Sequence, residues 1–397
     1  MMIQINGRAA CIVGVGTSDD FGFDLGRSPL RLQSEAFRAA LADAGLDKDD
    51  VDGFATAHGS PTGVDYEEFT AAAGLRVRYV EQAWAHGRWA TGVIAHAAFA
   101  VTVGLADVVA IANTVTTHRG YARHLEGLGG APTVEGLRDM GGGHGEWSVH
   151  GIDTPGASTA LVAQRYMDKY GASPQDLAEI CASYRSHAQR NPMATMRHKP
   201  LTVESYFDEP LIAGPFRRAD FALTSEGSTC LLVTTQERAR DLRQPVANIA
   251  GFQSIQSSRD DYVMFSRPGL GSGFGNEGPY SAAPQAVYAM AGVDRAAVDG
   301  LYAYDSFSSN IWMVAERFGF CGEGEAPDWL RAHAFAGSAS VPINTNGGML
   351  SEGDYTGYGH IVEMVRQLRG RAEERQIPGA EVLQWATPWG DSLVLTV

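Results

Sequence analysis

Two aspartate–glycine pairs, Asp52-Gly53 and Asp299-Gly300, stand 247 positions apart in this 397-residue chain, and Gly45 and Gly292 are separated by the same interval. Each set closes the same pattern. In the first half an apolar run at 10–16 reads as a buried strand. An alanine-rich helix at 34–44 follows and stops at Gly45, and 46–54 forms a loop entering the next strand. In the second half 246–252 is the strand, 281–291 the helix stopped by Gly292, and 293–301 the loop and strand. A third pair follows: the apolar helix 90–103 leads into strand 106–112, and the amphipathic helix 356–368 precedes strands 381–386 and 392–397. Matched segments at one offset predict a duplicated α/β unit. The boundary falls near Arg243-Gln244-Pro245, giving halves 1–243 and 244–397. A longer insertion, roughly 116–215, belongs to the first half. Its Gly141-Gly142-Gly143-His144-Gly145 run reads as a mobile loop, since it lacks the Lys-Ser/Thr ending of a phosphate-binding loop.

Charge and cysteine usage narrow the partners. A net charge of −15 argues against a nucleic-acid surface or a polybasic membrane patch. No apolar run reaches the roughly 18 residues of a membrane span. Cys11, Cys181, Cys230 and Cys321 are scattered without a CxxC pair, which fits neither a zinc site nor a disulfide framework and points to a reducing cytoplasm. No signal-peptide pattern opens the chain, and no metal ligand set is read from it.

Two segments carry the chemistry: Tyr304-Asp305-Ser306-Phe307 and the glycine-rich run from Asn344 to Asp354. With the duplication, Ser183 to Pro192, Leu201 to Tyr206, Pro215 to Asp220 and Ser225-Glu226-Gly227-Ser228, they resemble the thiolase superfamily over nearly the whole chain, in its sterol-carrier-protein-type branch. That resemblance implies a five-layered αβαβα fold of two pseudo-twofold-related halves. It also exposes three replacements. Thiolases of this branch use a cysteine, a histidine opening an HDCF motif and a histidine in a GHP motif. Here Tyr304 stands at the first histidine and Asp354, in Gly353-Asp354-Tyr355, at the second. The cysteine position falls near Arg88 or Trp89. The pattern is similar to the lipid-transfer-protein-like acyl-CoA aldolases of steroid side-chain degradation, which carry a YD-x-F tyrosine and a second tyrosine in G-Y-L-H-G. This chain reads Gly353-Asp354-Tyr355-Thr356-Gly357, so that tyrosine aligns with Asp354 while Tyr355 is offset by one.

The resemblance implies retro-aldol cleavage of a bulky β-hydroxyacyl-CoA to a ketone or aldehyde plus a short acyl-CoA. Such a reaction needs a base for the β-hydroxyl and a donor for the thioester enolate, but no nucleophile. Tyrosine, with an ordinary pKa of about 10, suits the donor role; a desolvated aspartate suits the base. Tyr304, with Asp354 or Tyr355, forms the candidate acid/base set. Each has a plainer reading: Asp354 as a helix cap, Tyr355 as core. His86 and Trp89 in the former nucleophile loop, and Asn346, Gly347 and Gly348 in the glycine-rich loop, are candidates for substrate binding. His360, one turn into the following helix, reads either as structural or as part of that pocket. The expected ligand is a coenzyme A thioester, taken as substrate with no other cofactor. The resemblance further implies a homodimer and an acyl-CoA-associated partner protein of zinc-ribbon and OB-fold type. Two alternatives stay open: a thiolase-type acyltransferase, which would form a covalent acyl adduct, and a non-catalytic acyl-CoA-binding subunit, which would turn over nothing.

Overall fold

The computed structural model describes residues 8–57, 63–83, 89–116, 155–242, 245–255, 285–335 and 339–397. The first half runs β1 (Ala10–Thr17), α1 (Pro29–Ala44), β2 (Gly53–Thr56), α2 (Tyr66–Ala73), β3 (Tyr79–Gln82), α3 (Ala90–Val103) and β4 (Val108–Thr116). Helices α4 (Pro155–Tyr170), α5 (Pro174–Gln189) and α6 (Val203–Tyr206) follow, then the small hairpin β5 (Leu211–Ala213) and β6 (Phe216–Arg217). β7 (Glu226–Thr235) and α7 (Gln236–Ala239) complete that half. The second half runs β8 (Ala247–Gln253), α8 (Ala286–Ala291), β9 (Gly300–Ala303), α9 (Asn310–Arg317), α10 (Ala326–His333), α11 (Gly348–Ser351), α12 (Tyr358–Leu368), β10 (Val382–Ala386) and β11 (Ser392–Thr396). The helix expected at 34–44 begins earlier, because Ser28 caps it and Pro29 occupies its first turn,. The Gly141–Gly145 motif and residues 256–284, which include the start of the helix expected at 281–291, lie outside the described residues.

Nine strands form one sheet in the order β3-β2-β4-β7-β1-β8-β11-β10-β9. Reading outward from the β1–β8 seam, the two sides repeat each other. The seam itself is short and antiparallel, pairing Cys11 with Asn248 and Ile12 with Ala247. β2 runs parallel to β4, as β9 does to β10, and a bridge from Leu301 to Ile343 stands where β3 stands in the first half.

The duplicated residues perform duplicated tasks. Asp52 Oδ1 accepts from the N–H groups of Asp107 and Val108 at 2.8 and 2.9 Å, fixing the start of β4. Asp299 Oδ2 accepts from Glu381 and Val382 at 2.8 and 2.9 Å, fixing the start of β10. The glycines beside them allow close approach: a Cβ at Gly53 would lie 2.7 Å from Val109 Cγ2, and one at Gly300 2.7 Å from Ile377 Cδ1.

Alternation along the strands builds three apolar layers. Ile12, Ile111, Val233, Tyr302, Tyr304, Trp385 and Leu393 face inward onto α3 and α12. Cys11, Ala110 and Leu232 face α1 and α2; Leu301, Ala303 and Val394 face the outer helices of the second half. The two halves of the one sheet thus lie on either side of the inner helices, giving helix, half-sheet, helix, half-sheet and helix in five layers. Both α3 and α12 lie between the halves of the sheet. Among the described residues no helix is long and apolar enough to cross a membrane.

Replacing Asp299 with Ala leaves two strand N–H groups without their acceptor, at an expected cost of about 1–3 kcal/mol. A urea unfolding midpoint lowered to that extent, and similarly for Asp52→Ala, is the expected result. An unchanged midpoint would show that the paired aspartates do not hold the strand starts.

Candidate active site

The starts of the two buried helices meet in the middle layer, each touched by a strand of the other half. The N–H of Thr91, in the first turn of α3, donates to Asp391 Oδ2 at 3.2 Å, from just before β11. Near α12, Thr356 Oγ1 donates to Asn113 Oδ1 at 3.0 Å, from β4, and Asn113 Nδ2 donates to the Tyr355 carbonyl at 2.8 Å. Tyr358 closes the pair by donating its hydroxyl to the Ala90 carbonyl at 3.2 Å.

Tyr304 follows β9, on the face that points into this layer, and is 2% exposed. Its ring meets Trp385 edge-on at 6.1 Å and Trp389 at 5.8 Å between centroids. Trp385 in turn packs where Gly357 leaves room; a Cβ there would approach its ring to 2.2 Å. With φ of 86°, Gly357 also takes a conformation that side chains resist,.

Asp354 is the one residue between 343 and 365 that is half-buried rather than fully buried. One of its oxygens, Oδ1, accepts from the N–H of Thr356 at 2.9 Å in a turn ahead of α12, whose N-cap is Gly357 with no side-chain cap, so Asp354 does not cap that helix. Oδ2 makes no hydrogen bond among the described residues. Burial pushes the carboxyl up to about 6 against the opposing pull of the Thr356 N–H; the Asp305 charge adds to the rise and His360 offsets it.

Tyr355 sits differently. Its ring lies 3.9 Å from that of Phe21, and its hydroxyl donates to the Glu226 carbonyl at 3.4 Å. Burial drives its pKa well above the ordinary phenol value. Of the two candidates for the second group, Asp354 has an oxygen to offer and Tyr355 is spent on packing.

The substrate-binding expectations divide as well. Trp89 is 37% exposed at the start of α3, while His86 lies outside the described residues. His360 is a correction: it is 1% exposed, with Nε2 at 2.9 Å from Asp305 Oδ1 and Nδ1 at 3.1 Å from Asn346 Oδ1. Both ring nitrogens are occupied, so no nitrogen is left for a ligand. Asn346 is likewise corrected. It is fully buried, and its Nδ2 donates to Glu352 Oε2. Gly347 and Gly348 are also buried and keep space for the neighbours: added Cβ atoms would meet Ala188 Cβ at 2.7 Å and Asp305 Oδ2 at 2.1 Å. They shape the floor beneath the site.

Two buried carboxyls escaped the sequence reading. Glu352 accepts from Asn191 Nδ2 at 2.8 Å and is pushed up to about 7 by burial. Asp391 accepts from Trp385 Nε1 at 3.3 Å as well as from Thr91, is raised to about 7 by burial, and leaves Oδ1 without a partner. Its signal in the sequence was an acid in an otherwise apolar terminal hairpin, which the turn residues Trp389-Gly390 explain as well. None of the four cysteines stands at the α3 start. Cys11 and Cys230 face the α1 layer, Cys181 lies in α5 and Cys321 follows α9.

Comparison with known proteins adds three findings. A family model described as thiolase C-terminal domain-like matches residues 277–387. The chain is 36% identical over 368 residues to the 17-hydroxy-3-oxo-4-pregnene-20-carboxyl-CoA lyase of Mycobacterium tuberculosis, covering 92% of this chain and 93% of that protein. It is 32% identical over 363 residues to a steroid side-chain-cleaving aldolase of Thermomonospora curvata, covering 91% and 90%. Among solved structures, the Ltp2-ChsH2(DUF35) aldolase superposes with a TM-score of 0.84 at 29% identity over 98% of each chain.

Burial holds Asp354, Glu352 and Asp391 above the range carboxyls have in the unfolded chain. The folded protein therefore binds more protons than the unfolded one from about pH 4 to about pH 7, and stability falls as pH rises through that window. Asp391→Asn removes one such group and keeps an acceptor for Thr91. The gap in thermal midpoint between about pH 5 and about pH 8 is expected to narrow in this variant; a gap equal to the native one would contradict a buried, raised carboxyl.

Proposed function

The chain belongs to the thiolase superfamily, in its lipid-transfer-protein-like acyl-CoA aldolase branch, and from that premise we propose that it is a carbon–carbon lyase that splits a bulky β-hydroxyacyl-CoA by a retro-aldol reaction. The observation that carries this reading is Asp354: the only partly exposed residue in its stretch of chain, with a carboxyl that burial pushes up to about 6.

The Asp354 carboxylate takes the proton of the β-hydroxyl. The O–H electrons become the carbonyl bond of the departing ketone or aldehyde. The Cα–Cβ bond breaks, and its electron pair forms the thioester enolate. The Tyr304 hydroxyl donates to this enolate and returns a proton to Cα, releasing the short acyl-CoA. Trp385, Trp389 and the Tyr304 ring form an aromatic cluster around the proposed donor. Coenzyme A enters as part of the substrate, and the scheme uses no other cofactor.

The thiolase-type acyltransferase alternative loses support from the position of the thiols, all of them away from the α3 start. The partner reading gains support from the solved Ltp2-ChsH2(DUF35) aldolase; we infer an acyl-CoA-associated partner here too. For a homodimer, β3, the edge strand among the described residues with Val80 exposed, offers a row of backbone groups for pairing,.

Tyr304→Phe is expected to lower cleavage of a β-hydroxyacyl-CoA by about 10²–10⁴-fold while thioester binding is kept. Acetyl- or propanoyl-CoA release is the readout, with and without the partner protein. Full activity in Tyr304→Phe would sink the assignment, as would an acyl adduct in the intact-protein mass. Asp354→Asn should abolish the acid limb of kcat/KM along with most of the rate.

A further inference from the structure

We propose that His360 is held as a doubly protonated imidazolium and that its charge makes it the positioning residue for the Asp354 carboxylate. Donors and acceptors around the ring fix its state. The Gly348 N–H can only donate, and it points at Asn346 Oδ1 at 3.3 Å. Asn346 Nδ2 faces Glu352 Oε2, so the amide is oriented with its oxygen toward His360. Nδ1, 3.1 Å from that oxygen, must then carry a hydrogen,.

Nε2 lies 2.9 Å from Asp305 Oδ1. Both Asp305 oxygens also accept main-chain N–H groups, from Met349 at 3.0 Å and Leu350 at 3.3 Å. That is the surrounding of an ionised carboxylate. A protonated Asp305 would put its hydroxyl on an oxygen already receiving the Met349 N–H. Nε2 therefore donates as well, and a ring with two N–H groups is a cation.

The neighbouring elements account for the remaining charges. Asp305 comes from the end of β9, and Glu352 and Asp354 from the loop between α11 and α12. Glu363, on α12 itself, is held by Arg375 through two contacts of 2.9 Å. That arginine is committed, and the rings of Tyr302 and Trp385, 6.2 and 5.4 Å away, bring no charge. His360 is the cation that offsets Asp305, and both charges act on Asp354. Without it, burial and the Asp305 charge would drive Asp354 further from ionisation, and the base would be protonated at neutral pH. The effect on Asp354 rests on the acid/base reading above; the state of the ring does not.

Nitrogen-15 spectra of histidine-labelled protein test the ring directly. Both nitrogens of His360, assigned by loss of the signals in His360→Gln, are expected to show attached hydrogens through neutral pH. One bare nitrogen would overturn the charge assignment. Asp305→Asn should release one ring hydrogen at neutral pH, and an unchanged ring would count against the proposal. In His360→Gln the acid limb of kcat/KM should move up by about one pH unit, whereas a uniform loss of rate with the limb unmoved would overturn the positioning role. The spectrum needs no turnover, so its failure is distinct from failure of the proposed reaction.

Discussion

Two helix starts held face to face in the middle of five layers govern everything else in this protein. Thr91 leans on Asp391, Asn113 on the Tyr355 carbonyl and the Thr356 hydroxyl, and Tyr358 on Ala90. Each contact crosses from one half to the other. Neither helix can be repositioned without disturbing a strand of the opposite half, so the duplicated architecture and the geometry of the site are one constraint.

Under the proposed reaction, that constraint is what fits carboxyls and phenols to serve where a thiol and imidazoles are missing. A group taken out of water between the two halves of the sheet loses the solvation of its charged form. For Asp354 the loss moves an ordinary carboxyl to about 6, within reach of general-base work at neutral pH. For Tyr355 the same loss removes any prospect of ionisation, and its hydroxyl settles on a main-chain carbonyl. Burial thus separates two adjacent residues that the sequence presents as equals. Trp385 links the pieces. It borders Tyr304, fills the space left by Gly357 and donates to Asp391.

Much of the fold could be read from residues alone, because its signals are local and repeated. Asp52 and Asp299, with their glycines, mark equivalent strand starts, and both prove to bind the N–H groups of a neighbouring strand. Gly45 and Gly292 end equivalent helices, with φ of 72° and 67°. The site was legible only in part. Tyr304 and Asp354 became candidates because each stands at a motif position. The roles of His360, Asn346, Glu352 and Asp391 depend on partners 6 to 300 residues away, and no spacing along the chain encodes them. His360 illustrates the difference: helix position placed it near the pocket, while Asp305 and Asn346 place it under the floor.

The central claim is that Tyr304 delivers and removes the proton at the α-carbon of a thioester enolate, with no covalent intermediate. Run in reverse, that step exchanges the α-hydrogens of a short acyl-CoA with solvent even when no carbonyl partner is present. Incubating the protein with propanoyl-CoA in deuterium oxide and following α-deuteration by mass tests it most directly. The account predicts exchange by the native protein and none by Tyr304→Phe. Exchange that persists undiminished without the phenol hydroxyl would contradict it.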